Sequence, residues 1–173
     1  MNKLLGASLI IGASSLGGLL LSERLSERCR TIRNWIYVLE MLETEIFYQN
    51  YRLPEIFGRV GALLPNRTLG RAFEELAIQV EFGSEQDVAT AWNGLLNDLG
   101  SAGRLERPER AVLEEFGLYL GATDREDQVR KIRGCRSRLE ANLELAEIKA
   151  KQRIGLYRYF GFAAGAVVAL WLL

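Results

Sequence analysis

The chain has 173 residues with 22 basic and 22 acidic side chains, so its formal net charge is zero. This balance argues against a nucleic-acid binder that works by general neutralisation of phosphates. The sequence contains no histidine, which excludes imidazole general bases, Ser-His and Cys-His nucleophile pairs, and histidine metal ligands. Its two cysteines, Cys29 and Cys135, form no C-x-x-C pair, so we expect two free thiols in a reducing compartment.

The charges are concentrated in the middle of the chain. All acidic residues lie between Glu23 and Glu147, and Lys3 is the only basic residue outside 22–158. Two nearly uncharged ends around a charge-rich centre are typical of anchors that flank a water-exposed domain. We therefore predict three segments: an N-terminal transmembrane helix over 1–21, a helical domain over 22–153, and a C-terminal transmembrane helix over 154–173.

The N-terminal apolar run, 4–21, contains 18 uncharged residues. A helix needs about 20 residues to cross the hydrocarbon core of a bilayer. A cleaved signal peptide is the alternative, with 1–3 as its charged start, but 13–15 (Ala-Ser-Ser) make a poor cleavage site. The second apolar end of the chain favours the anchor.

The C-terminal apolar run, 160–173, contains 14 uncharged residues and reaches 20 when it is extended back to Ile154. The extension includes Arg158, whose long side chain can reach the headgroups from a helix end. The alternative is a C-terminal core helix, but the absence of a polar face fits a bilayer better.

Both apolar runs contain small residues four positions apart, a spacing that lets helices approach closely in lipid. We predict that the runs pack on each other or on partner helices through four glycines: Gly12, Gly17, Gly161 and Gly165.

Basic residues flank the two runs on the side of the central domain. By the positive-inside rule, this asymmetry predicts a cytoplasmic central domain with both termini outside. The flanking residues are Arg24, Arg28, Arg30 and Arg33 after the first run, and Lys149, Lys151, Arg153 and Arg158 around the start of the second.

In the central domain, apolar residues recur at helical spacing and no segment alternates as a strand does. Prolines and glycines divide it. Pro54 opens a short helix that Pro65 ends, Gly83 ends the next helix, and Pro108 opens another that Gly121 closes. We predict an all-α bundle of about six helices, with short loops, flanked by the two transmembrane helices.

One carboxylate interrupts the apolar pattern. Glu43 falls in the middle of the apolar stripe that runs from Ile32 to Ile46, and Arg136 falls similarly in the stripe of the last helix. A carboxylate at such a position needs a partner or faces another subunit. We hypothesise that Glu43 meets Arg136 or Gln128; the alternative is a solvated glutamate at the edge of the helix.

The remaining acidic pairs do not form an active site. Glu74-Glu75 and Glu114-Glu115 are adjacent, and adjacent helical residues point about 100° apart, so their carboxylates diverge. No phosphate-binding glycine loop stands at a strand–helix junction. We expect interaction surfaces, and no enzymatic activity, cofactor or metal site.

Several short motifs, taken in order along the whole chain, resemble the stage III sporulation protein AB family of endospore-forming bacteria. The apolar N-terminal run precedes these motifs and the apolar C-terminal run follows them, at distances that are similar to those in the family. The motifs are Leu25–Arg28, Leu42–Ile46 with Tyr48, Leu53–Glu55, Leu120–Gly121 with Asp124 and Gln128, and Lys149 and Lys151 with Tyr159 before Gly161.

The resemblance implies a function that the residues alone do not. The family is similar to the cytoplasmic domain of the inner-membrane platform protein F of type II secretion systems and type IV pili. It implies a non-enzymatic scaffold in an assembly that joins mother cell and forespore. The expected location is the mother-cell side of the membrane around the forespore.

The resemblance also implies partners. They are the other subunits of that assembly, including stage III sporulation protein AA, which resembles secretion ATPases, as well as membrane lipid and a possible second copy of the chain. Of the family positions that this sequence matches, Glu43, Glu45, Gly121, Asp124 and Gln128 are assigned to structure or to an interface. The alternative function is a platform subunit of a type II secretion or type IV pilus-like system outside sporulation.

Overall fold

A computed structural model describes the backbone of residues 2–48, 51–83, 88–100, 105–122 and 124–172, and their side chains except at 2–22, 24, 100 and 153–172. Over these residues the fold is all-α, with six helices and no strand, which confirms the all-α part of the predicted fold class; the two flanking transmembrane helices stay a prediction. The helices are α1 (Asn2–Tyr48), α2 (Leu53–Leu63), α3 (Arg67–Phe82), α4 (Val88–Gly100), α5 (Arg107–Gly117) and α6 (Arg125–Leu172).

The chain divides into two compact units. The central unit consists of residues 30–143, and the terminal unit consists of 1–29 together with 144–173. Helices α1 and α6 each contribute to both units, since each is one unbroken helix. The apolar runs therefore continue the first and last helices instead of forming separate helices beside a six-helix bundle.

No helix among the described residues is both long and apolar enough to cross a membrane. The runs to which the sequence assigns the two spans, 4–21 and 160–173, lie outside the residues whose side chains are described.

An aromatic cluster forms the core of the central unit. Trp92 of α4 lies at its centre, with ring centroids 5.8 Å from Trp35, 6.0 Å from Phe73 and 5.4 Å from Phe116. The indole Nε1 of Trp92 donates a hydrogen bond of 2.8 Å to the carbonyl oxygen of Leu113. This bond satisfies a polar group that would be costly to bury alone. Helices α1, α3, α4 and α5 thus meet at one residue.

Helices α2 and α3 form a tight hairpin. Pro54 lies in the first turn of α2, where its missing N–H costs nothing. At the start of α3, Oδ1 of Asn66 accepts hydrogen bonds from the backbone N–H groups of Thr68 and Leu69, at 3.1 and 3.2 Å. This is the N-cap arrangement that satisfies otherwise unpaired donors.

Helix α5 ends earlier than the sequence predicts. The expected end was Gly121, but the helix ends at Gly117 and the chain continues through turns to Ala122. A Cβ at Gly117 would clash with the Trp92 ring. Close packing therefore leaves no room for a side chain at this position. Its role was not visible in the local sequence pattern.

Candidate functional site

Glu43 lies at the centre of an ion-pair cluster between α1 and α6. Its Oε2 accepts a hydrogen bond of 3.0 Å from Nη1 of Arg136, and its Oε1 accepts one of 2.6 Å from Nε of Arg133. Only 15% of the Glu43 side chain is exposed. The predicted pairing of Glu43 with Arg136 is confirmed, and the alternative of a solvated glutamate is wrong.

The cluster is larger than predicted. Arg133 was not among the expected partners, although its spacing of three residues from Arg136 places both on one face of a helix. Nε of Arg136 also lies 3.5 Å from Oε1 of Glu140. Two cations around one carboxylate make a charge-assisted bridge between α1 and α6. We call Glu43, Arg133 and Arg136 the Glu43 cluster.

Glu45 makes a second bridge from α1. Its Oε2 accepts a hydrogen bond of 3.0 Å from Nε of Arg59 on α2, and 13% of its side chain is exposed. The guanidinium of Arg59 also lies 4.9 Å from the centroid of the Tyr51 ring, a cation–π distance. Glu43 and Glu45, two positions apart in the sequence, therefore bind different helices.

Gly121 and Asp124 shape the entry to α6. Gly121 has φ of +74°, and a Cβ there would lie 3.0 Å from Cδ1 of Leu53. Only glycine adopts this conformation readily. Oδ1 of Asp124, directly before the first residue of α6, accepts a hydrogen bond of 2.8 Å from the N–H of Asp127. This caps the helix.

Gln128, the other expected partner of Glu43, belongs to the same first turn of α6. Its backbone N–H donates to the carbonyl oxygen of Asp124 at 2.9 Å. The hydrogen bonds given above for the Glu43 carboxylate go to the two arginines.

The glycines predicted to pack in the membrane lie outside the residues whose side chains are described. These are Gly12 and Gly17 in α1, and Gly161 and Gly165 in α6. Their part in helix packing stays a prediction.

Over the described residues, no group of three or more Cys, Asp or Glu side chains is placed to hold a metal ion. Both cysteines are buried and free. Burial raises the pKa of the Cys135 thiol from 9.0 to about 12, and its Sγ lies 3.8 Å from the carbonyl oxygen of Val112. A thiol with so high a pKa is a poor nucleophile at neutral pH. The ion pairs of Glu43 and Glu45 join α1 to α6 and to α2.

A helical bundle joined by ion pairs, with α1 and α6 as its long first and last helices, defines the class of an all-α helical protein. The model of the Stage III sporulation protein AB family matches residues 3–173. The chain is 33% identical, over 175 residues and the full length of both proteins, to Stage III sporulation protein AB of Bacillus subtilis (strain 168). A solved structure of Stage III sporulation protein AB matches with a TM-score of 0.63 and 29% identity, covering 72% of this chain and 97% of that one. The chain belongs to the Stage III sporulation protein AB family.

Proposed function

We propose that this protein is a non-enzymatic, membrane-anchored platform subunit of a transport complex between mother cell and forespore. The family match over 3–173 and the apolar runs at both ends of the chain support this. In this proposal 1–21 and 154–173 cross the membrane. The domain between them faces the cytoplasm of the mother cell, in agreement with the basic residues that flank both runs.

The observation that carries the proposal is the continuity of α1 and α6. Each is a single helix, and each contains one of the two apolar runs. Within the central unit the same two helices are joined by the Glu43 cluster. We infer that α1 and α6 attach the bundle to the bilayer, and that Glu43 and Arg136 hold these two helices together.

The bundle, in this proposal, couples the secretion-type ATPase of the same assembly to the membrane. A surface suited to protein contact lies at the end of α1, where Phe47 and Tyr48 are 48% and 72% exposed. Their rings form an edge-to-face pair with centroids 4.8 Å apart. Exposed aromatic residues are typical of protein interfaces. Glu45 and Arg59, beside this pair, fix the end of α1 against α2.

A co-sedimentation experiment tests the coupling. Lipid vesicles that contain the full-length chain are mixed with the purified ATPase of the same organism, and ATPase in the pellet is measured. We expect sedimentation with the wild type and a loss of at least about fivefold with Phe47→Ser and Tyr48→Ser combined, since interface aromatics carry much of the binding energy. The matched control, Ile78→Ser with Leu118→Ser, removes two exposed apolar side chains elsewhere. Equal sedimentation with protein-free vesicles would contradict the coupling.

The sporulation assignment is favoured over a type II secretion or type IV pilus-like platform outside sporulation. The reason is the family match, which spans almost the whole chain. Deletion of the coding sequence in a spore-forming host distinguishes the two. The proposal expects arrest of spore development with normal secretion and piliation.

A further inference from the structure

Helix α6 contains an unusually basic run. Residues 130–138 include five basic side chains and no acidic one. Two of the five, Arg133 and Arg136, bind Glu43 on α1. The other three, Arg130, Lys131 and Arg138, line a groove between α5 and α6. The basic side chains of this run thus lie on two sides of α6. Those on one side belong to the Glu43 cluster, and those on the other side line the groove.

The groove has a volume of about 140 Å³. Both apolar and basic side chains line the groove. The lining residues beside the three cations are Val112, Glu115, Phe116, Tyr119, Gly134 and Cys135. Pockets for drug-sized ligands have about 300–1,000 Å³, so this groove has room for one small group and is too small for a nucleotide.

The three cations have internal contacts that hold them in place but do not cancel their charge. Nη1 of Arg138 lies 2.6 Å from Oε2 of Glu115, and Nη2 of Arg130 lies 3.6 Å from Oδ1 of Asp127. Nζ of Lys131 lies 4.0 Å from the centroid of the Tyr119 ring. Three positive charges face two negative ones, so the groove keeps a positive excess.

Gly134 is the glycine that lines the groove. It lies inside α6, and a Cβ built on it would meet nothing within 4 Å. Glycine is among the least favourable residues in a helix interior, and none of the described neighbours lies close enough to require it here. A glycine at such a position leaves the helix backbone accessible to a group from outside.

We propose that the groove formed by Arg130, Lys131, Gly134 and Arg138 docks an acidic segment of a partner protein, with one Glu or Asp side chain entering it. A carboxylate is the anion that fits both the volume and the charge, because guanidinium and ammonium groups bind it with charge-assisted hydrogen bonds. Its methylene groups contact Val112 and Phe116. The inference rests on the proposed function only in that its partner belongs to the same assembly.

The occupying carboxylate binds Arg130 and Lys131, while Arg138 stays on Glu115. Charge also directs the approach, since a positive groove attracts an acidic segment over several ångströms and salt screens that attraction. The affinity therefore falls as ionic strength rises.

Fluorescence anisotropy on the full-length chain in detergent micelles tests the proposal. The probe is a fluorescein-labelled peptide of alternating Glu and Gly, and its Gln-Gly counterpart is the uncharged control. Arg130→Gln combined with Lys131→Gln should weaken binding at least tenfold. The matched control, Arg67→Gln with Arg71→Gln, removes the same charge from exposed positions on α3 and should leave the affinity within twofold.

A second pair of variants tests the shape of the groove without changing charge. Gly134→Leu fills its centre and should weaken binding at least fivefold. Gly94→Leu, at a helical glycine that is equally open, should leave binding unchanged. Circular dichroism confirms that all four variants are folded.

Several outcomes would overturn the proposal. Equal weakening by the α3 and α6 charge pairs would show nonspecific attraction. Unchanged binding with Gly134→Leu would place the peptide elsewhere. Binding of inorganic phosphate without binding of the Glu peptide would identify a free-anion site instead of a protein-docking one. None of these results depends on whether the ATPase sediments with vesicles, so the two proposals fail separately.

Discussion

The α2–α3 hairpin and the α1–α6 pair of the central unit contain contacts of different kinds. In the hairpin, a Cβ on Gly61 would lie 2.8 Å from the carbonyl oxygen of Gly70, and one on Gly70 would lie 2.7 Å from that of Gly61. The two backbones touch because neither residue has a side chain. Between α1 and α6, the Glu43 cluster supplies charge-assisted hydrogen bonds instead.

The two kinds of contact respond to different changes, one to side-chain volume and the other to salt. A glycine contact depends on volume and is indifferent to salt, because it involves no charge. The Glu43 cluster depends on charge and is partly exposed through Arg133, at 61%, so ions screen it. The contact between the two helices that contain the apolar runs therefore responds to ionic conditions.

The largest expected effect is steric. Gly61→Ala places a methyl group against the backbone of α3, which cannot give way as a side chain can. We expect a loss of about 3 kcal/mol in the free energy of unfolding, measured by chemical denaturation in detergent. Gly58→Ala is the matched control, since its Cβ would lie at an ordinary 3.8 Å from Cβ of Ala77. Equal effects of the two changes would refute the steric account.

The next effect is electrostatic. Glu43→Gln leaves Arg133 and Arg136 facing a neutral amide, and we expect a loss of about 2 kcal/mol in unfolding free energy. Because the interaction that is lost is an ion pair, the difference in unfolding free energy from wild type should become smaller in high salt. Glu40→Gln, at an exposed position on the same helix, should change stability little. A salt-independent difference for Glu43→Gln would argue against the ion-pair interpretation.

A smaller effect concerns the start of α6. Asp124→Ala removes the carboxylate that accepts from the N–H of Asp127, with an expected cost of about 1 kcal/mol. Asp124→Asn keeps an acceptor oxygen and should recover most of the loss. Hydrogen exchange at Asp127 would report the fraying directly, and equal exchange in both variants would contradict the capping role.

Cys135 gives a pH-dependent prediction for the buried face of α6. Its pKa rises from 9.0 to about 12 on folding, so the folded chain retains the thiol proton that the unfolded chain releases. The stability that the protonated, buried Cys135 thiol gives the fold is fully present below pH 9. It is lost between pH 9 and 12, by about 1.4 kcal/mol per pH unit. The difference in unfolding free energy between wild type and Cys135→Ala should change by that slope. A difference in unfolding free energy that does not change with pH would contradict the burial of the Cys135 thiol.

The sequence predicted helix existence and type well because prolines, glycines and apolar spacing are local signals. Pro54 lies in the first turn of α2 as expected, and Gly83 follows the last residue of α3. The predicted end of α5 at Gly121 was wrong: the helix ends at Gly117, a glycine packed against Trp92, which is distant in sequence. Local patterns do not encode such packing.

The candidate site was predictable to a similar degree. The position of Glu43 in an apolar stripe required a partner, and the similar position of Arg136 suggested which one. Arg133 and Arg59 were missed because both lie on exposed faces, where a basic residue gives no signal. Their partners become visible only when the helices are placed side by side.

Cysteine accessibility in intact, non-sporulating cells that express the chain in their cell membrane tests the central claim, a domain anchored by two spans with its bundle in the cytoplasm. Cys29 and Cys135 are replaced by Ala, and single cysteines are introduced at Asn2, Thr90 and Leu173. Thr90 is exposed on α4. The account predicts that a membrane-impermeant thiol reagent labels the two ends and spares Thr90→Cys until the cells are permeabilised. Labelling of Thr90→Cys in intact cells would place the bundle outside and contradict the account.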